Sequence, residues 1–128
     1  MKLLLDTHSF LWFIGGEERL SSTARTLIED INNDVFLSVA SLWEMAIKIS
    51  LGRLQLAQPF ETSIRQQISL NHISVPGITI SHTARVAVLP FHHRDPLDRL
   101  LIAQAHKEEM PIVSRDPEFD AYGITRLW

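Results

Sequence analysis

The chain has 128 residues, a formal charge of −3, 45% apolar and 21% charged residues, and no cysteine. That length fits about one domain of roughly 100–200 residues, its composition rules out a disordered chain, and the missing thiols exclude a disulfide scaffold, a thiolate zinc site and a cysteine nucleophile. The acidic balance counts against a passive nucleic-acid binder, which carries a basic footprint, and no apolar run approaches the ~20 residues that cross a bilayer.

Leu3–Leu5 is a short apolar run ended by Asp6, too short for a secretory segment and suited to a buried strand. Thr7 to Ile14 reads as a helix stopped at Gly15-Gly16. Ser21 or Ser22 caps a second helix with Ala24, Leu27, Ile28 and Ile31 at helical spacing. Val35–Ser38 is a second strand. Ser41 opens a helix carrying Trp43, Met45, Ile47 and Ile49 and closed by Gly52. Pro59 starts another, reaching about Leu70. A strand at Ile73–Val75 and a helix at Ser81–Val88 follow. Asp95-Pro96 introduces a helix over Leu97–Met110, which Pro111 ends. Ile112–Ser114 is a fourth strand, Asp116-Pro117 starts a helical turn, and Ile124–Leu127 is a last edge strand. Short apolar strands alternating with amphipathic helices predict a mainly parallel sheet covered on both faces, in one soluble, cytoplasmic domain spanning 1–128. In such sheets the chemistry lies at the carboxyl ends of the strands.

Four acids fall at strand exits or helix starts. Asp6 ends the first strand, Asp116 follows the fourth, Glu44 lies in the first turn after the second, and Asp98 opens the long helix. Carboxylates gathered on one sheet edge repel one another unless a cation sits among them. Hard cations such as Mg²⁺ take oxygen ligands and keep several waters, and such a basket suits phosphodiester hydrolysis. Each acid also has a plain structural reading. Ser41-Leu42-Trp43-Glu44 matches a capping box, Glu44 stands four residues before Lys48, and Asp95-Pro96-Leu97-Asp98 and Asp116-Pro117-Glu118 are good helix starts. Asp98 differs from a cap, because its helical neighbours Leu101, Ile102 and Ala105 predict partial burial of its charge.

Leu3-Leu4-Leu5-Asp6-Thr7-His8, Trp43-Glu44 with Lys48 and Gly52, Asp95-Pro96-Leu97-Asp98-Arg99-Leu100-Leu101-Ile102-Ala103-Gln104-Ala105 and Ser114-Arg115-Asp116 together resemble the PIN-domain ribonucleases, and within them the VapC-type toxins of type II toxin–antitoxin pairs. The resemblance runs in order over essentially the whole chain. It implies a three-layer α/β/α sandwich with a central, mainly parallel sheet, Mg²⁺- or Mn²⁺-dependent cleavage of RNA, a VapB-like antitoxin and a homodimer. It carries the acidic set onto Asp6, Glu44, Asp98 and Asp116. Ser114 takes the place of a hydroxyl that orders the reactive water, and Asp95 is an outer partner or only a cap. Asp120 is a spare acid expected to be structural. The expected products carry a 5′ phosphate and a 3′ hydroxyl.

Nine of the twelve basic residues are arginine, which suits bidentate phosphate contact. Lys48, Arg94, Arg99 and Arg115 flank the acids and are the candidates for gripping RNA phosphates, with neutralisation of the acids weighing equally for Arg99. Trp12 and Phe13 are expected in the core or at an interface. His92-His93 is expected to face solvent, and His8 to be structural. The segments Leu20–Ile31 and Pro59–Leu70 are candidate subunit or antitoxin contacts. An aspartyl-nucleophile phosphatase would want an acid two residues after Asp6, where His8 stands. A receiver-type switch would want adjacent acids there and a late lysine, both missing. A non-toxin PIN-type nuclease, another phosphohydrolase, or a binding module whose acids only cap helices stay open as alternatives.

Overall fold

A computed structural model describes all 128 residues, Met1–Trp128. Five strands, β1 (Lys2–Leu5), β2 (Asp34–Leu37), β3 (Ile73–Ser74), β4 (Ile112–Val113) and β5 (Arg126–Leu127), form one sheet in the order β3-β2-β1-β4-β5. Every pairing is parallel. Six α-helices connect them: α1 (Thr7–Ile14), α2 (Ser22–Glu29), α3 (Val39–Ser50), α4 (Phe60–Leu70), α5 (Ile80–Val88) and α6 (Pro96–Glu108), with a 3₁₀ helix at Pro117–Tyr122.

Alternation along β1 divides the core. Leu3 and Leu5 pack with Phe10, Ala24, Ile28, Met45 and Ile64 on one face, while Leu4 packs with Leu101, Ile102, Ala105 and Phe119 on the other. All three leucines are fully buried, and each side chain so buried stabilises the fold by about 1.5–3 kcal/mol. Helices therefore cover both faces, which is the expected α/β/α sandwich. The order of the strands reverses direction at β1, whose neighbours β2 and β4 lead away to opposite edges. A crevice outside the carboxyl ends at such a switch point is where open α/β sheets place their ligands.

Some boundaries differ from the sequence expectation. The second strand ends at Leu37, and Ser38 caps α3 by accepting the Ala40 N–H at 3.0 Å. The helix therefore starts at Val39, before Ser41, and Glu44 moves from the first turn into the second. Ser41 is buried and pairs with Thr7, so no Ser41–Glu44 capping box forms. The second helix stops at Glu29, leaving Ile31 outside it and 92% exposed. The segments 20–31 and 59–70 turn Leu20, Ala24, Ile28 and Ile64 into the core. The longest exposed apolar stripe instead runs along α3, as Val39, Trp43, Ile47 and Leu51 at four-residue spacing. No helix is long and apolar enough to cross a membrane.

Candidate active site

Asp6, Thr7, His8, Glu44, Lys48, Asp95, Asp98, Asp116 and Phe119 line one cavity of about 240 Å³ at the carboxyl end of the sheet. Five carboxylates from four stretches of chain thus share a space lined by a single ammonium group.

Local chemistry explains how each acid arrives there. Asp6 leaves β1 and caps α1, one carboxylate oxygen accepting the Ser9 N–H at 2.8 Å. Its other oxygen accepts the Ser114 hydroxyl at 2.6 Å, a link from the end of β1 to the end of β4. Asp116 caps the 3₁₀ helix through the Glu118 N–H at 2.9 Å, while its own N–H donates to Ser114 Oγ at 3.0 Å. Ser114 is fully buried and so ties two of the acids together. Asp95 caps α6 by accepting the N–H groups of Leu97 and Asp98 at 2.9 and 3.4 Å. Capping and lining the cavity are therefore not alternatives, since a cap engages only part of a carboxylate's four or so lone-pair positions.

Glu44 reaches the cavity from α3. Lys48 Nζ stands 2.9 Å from one of its oxygens, and the Thr7 hydroxyl lies 3.2 Å from the other and 3.0 Å from Ser41 Oγ. Asp98 has no such relief. Its side chain is 25% exposed and the nearest cationic candidate is His93 Nε2 at 3.6 Å. Burial first, and then the charges of Asp95, Glu44, Asp6 and Asp116, push its carboxyl up to about 7. The charges of the other four acids are thus close enough to act on Asp98.

No three of these side chains form a finished coordination sphere in this structure. The donor set is nonetheless all oxygen, strongly anionic and short of counter-charge. That matches a cation such as Mg²⁺, which retains several waters and takes only one or two carboxylates directly. It does not match a closed site of nitrogen or sulfur ligands.

The basic candidates separate. Lys48 is at the cavity, paired with Glu44. Arg115 is exposed and lines an adjoining depression with Asp6, His8, Trp12, Asp116 and Pro117. Arg94 is exposed beside Asp95. Arg99 is not at the site. It is 4% exposed, donates to the carbonyls of Pro90, Leu89 and Val86, and lies over the Phe91 ring at 4.0 Å. Its position one residue after Asp98 turns it by about 100° around the helix, toward the end of α5 and the loop before α6. The histidine expectations also change. His8 is exposed and lines the cavity, tilted against Trp12 at 5.6 Å. Both rings of the pair lie edge-on to Tyr122, but His92 stays exposed whereas His93 also packs edge-on to Phe119. Trp12 and Phe13 pack against the core. Asp120 lies outside the cavity and pairs with Arg126 at 2.8 Å. Thr7 is the cavity residue that sequence reasoning passed over. Its signal was a hydroxyl directly after the strand-ending acid Asp6.

Residues 3–124 match the PIN domain family. The chain is 32% identical over 115 residues to Ribonuclease VapC22 of Mycobacterium tuberculosis (strain ATCC 25618 / H37Rv), covering 89% of this chain and 86% of that one. In fold it is similar to VapBC2 from Rickettsia felis (TM-score 0.71, 15% identity, 99% and 98% of the two chains). It is likewise similar to VapC20 of Mycobacterium tuberculosis, a Sarcin-Ricin loop cleaving toxin (TM-score 0.67, 18% identity, 96% of each chain). With its acidic cavity at the switch point of an all-parallel sheet, the chain belongs to the PIN-domain family and is a homologue of the VapC ribonucleases.

Proposed function

We propose that this chain is an endoribonuclease, the toxin of a type II toxin–antitoxin pair, acting in the cytoplasm as one domain over residues 1–128. It hydrolyses RNA phosphodiester bonds with a divalent cation, Mg²⁺ or Mn²⁺, held among Asp6, Glu44, Asp98 and Asp116. The observation that carries this reading is the uncompensated carboxylate cavity, in which Asp98 is pushed to about 7 by burial and four acidic neighbours. Homology over 89% of the chain to a VapC ribonuclease supports the RNA substrate, and similarity to the toxin of VapBC2 supports a VapB-like partner. Apolar surface along α3 is of the kind protein partners cover, whether antitoxin or the second copy of a homodimer.

When bound, the cation makes water nucleophilic near neutral pH and offsets charge on the phosphoryl oxygens. The chain's own groups do the rest. Asp6 and Asp98 hold the cation, Asp116 and Glu44 complete the set, and Ser114 fixes Asp6 through a 2.6 Å hydrogen bond. Thr7 and Lys48 orient Glu44. Asp95 keeps its capping role and adds negative potential. Arg115 and Arg94, exposed beside the acids, grip the flanking phosphates, positioning the strand without reading its bases.

The test is incubation of the purified protein with structured RNA, with Mg²⁺ or with chelator. Cleavage is expected only with the cation, leaving 5′ phosphate and 3′ hydroxyl ends, and Asp6→Asn and Asp98→Asn should each abolish it. Metal-dependent cleavage that survives both substitutions would overturn the assignment.

A further inference from the structure

The loop between α5 and α6 holds a side chain that the acidic cavity does not itself account for. His93 has an 11% exposed side chain, and both of its ring nitrogens are shut off from solvent without a hydrogen-bond partner. An imidazole always carries at least one N–H, and buried donors ordinarily find acceptors. The acidic oxygen beside it is Asp98 Oδ2, 3.6 Å from Nε2, a few tenths of an ångström beyond bonding reach.

The ring is well anchored. It lies edge-on to Phe119 and Tyr122, with centroids 6.1 and 5.3 Å away. The Tyr122 hydroxyl accepts the backbone N–H groups of His92 and His93 at 3.1 and 2.9 Å, tying the loop to the 3₁₀ helix. The other neighbours of Asp98 leave its carboxylate unsupported. Asp95 accepts its backbone N–H, which fixes the main chain only. The Arg99 guanidinium is spent on carbonyls of the α5 end.

We propose that His93 is a positioning residue for Asp98, its Nε2–H donating to Oδ2 so that the carboxylate is held with its remaining lone pairs toward a divalent cation. This rests on the reading of Asp98 as a cation ligand. An imidazole N–H suits the task because a ring held by packing donates in one fixed direction. Partners of this kind behind metal ligands set ligand orientation and affinity.

Two measurements on the full chain test it. The first is Mn²⁺ binding, read from the electron paramagnetic resonance of the free ion, for wild type, His93→Leu, His93→Gln and Asp98→Asn, with thermal melts as a folding control. His93→Leu is expected to weaken binding by about 10–100-fold, and His93→Gln, whose amide N–H can still donate, to recover most of it. Wild-type affinity in His93→Leu, or a glutamine variant as weak as the leucine one, overturns the role of the N–H. Equal binding by wild type and Asp98→Asn instead overturns the reading of Asp98 as a cation ligand, so the two failures are distinct. The second measurement needs no variant: nitrogen-15 NMR of the histidine rings. The Nε2–H tautomer is expected at His93, with its Nε2 signal shifting on addition of Mg²⁺. An Nδ1–H tautomer overturns the proposal even if the leucine variant fails to fold.

Discussion

Two acidic regions of this molecule behave in opposite ways. Asp120 stands at the surface in a two-pronged pair with Arg126, at 2.8 and 3.1 Å, and the hydrogen bonds from that guanidinium hold its carboxyl below the usual range. Asp98 stands in a partly closed cavity among four other acids and is pushed up to about 7. The first arrangement satisfies a charge where it stands. The second leaves charge unsatisfied and concentrates it at the carboxyl ends of β1 and β4. Buried like charges without partners are costly, and a fold keeps them where something else is meant to supply the missing charge. Unpaired repulsion, more than acidity as such, marks the candidate site.

The sharpest way to break that contrast is Asp98→Asn. Removing the repelled carboxylate should raise the melting temperature of the cation-free protein while abolishing RNA cleavage, as expected above for the loss of a cation ligand. A variant that loses stability and activity together would mean that Asp98 is an ordinary structural residue.

Titration is the second probe. Between pH 4 and 7 the folded protein holds a proton on Asp98 that the unfolded chain has already released. Without divalent cation, this group therefore makes stability fall as pH rises through that window and level off above about 7. Every tenfold gain in proton affinity on folding is worth about 1.4 kcal/mol, reduced here by the solvent that reaches the side chain. Mg²⁺ should flatten the slope and raise the melting temperature most at pH 7–8, where the carboxylate is free to bind. A melting temperature that stays constant over this range, with chelator or with Mg²⁺, would sink the idea of a repulsive cavity.

Ser114→Ala is expected next in size. It removes the bond to Asp6 and leaves the Asp116 N–H without its acceptor, costing ~1–3 kcal/mol of stability in denaturant melts. Cleavage should fall by about 10–100-fold, as when a group supporting a metal ligand is lost. Asp120→Asn marks the low end. Its melting temperature and cleavage rate should match wild type, since exposed ion pairs contribute little. Loss of cleavage in that variant would extend the site beyond the cavity.

Much of this was legible in the chain itself. The three-leucine run ended by an acid, the proline after Asp95 and the spacing of apolar residues in α6 are local signals, and strands, helices and sheet class follow from them because local periodicity reports which face is buried. The four acids were legible too, since Asp6, Asp98 and Asp116 stand where a strand ends or a helix begins and Glu44 lies one turn further into its helix than its spacing suggested. Lateral placement was not. Whether Ser38 or Ser41 caps α3 depends on Ser41 being drawn to Thr7 across 34 residues. Arg99, adjacent to Asp98 in sequence, faces away because a helix turns successive residues by about 100°. His93 and His92, adjacent and chemically identical, have opposite fates: Tyr122 lies edge-on to both rings, but Phe119 packs only against His93, whose nitrogens are closed off from solvent while His92 stays exposed.

Sequence by itself thus determined the alternating α/β order, the two-faced parallel sheet and the identity of the acids, because hydrophobic periodicity and capping chemistry act over a few residues. Only the tertiary structure decided that Asp6, Glu44, Asp95, Asp98 and Asp116 share one cavity, which cations stand beside them and which do not, and how strongly the acids repel. Those quantities depend on distances between segments up to about a hundred residues apart, such as the 2.6 Å bond from Ser114 to Asp6, and electrostatic energy is set by distance and burial and not by order along the chain.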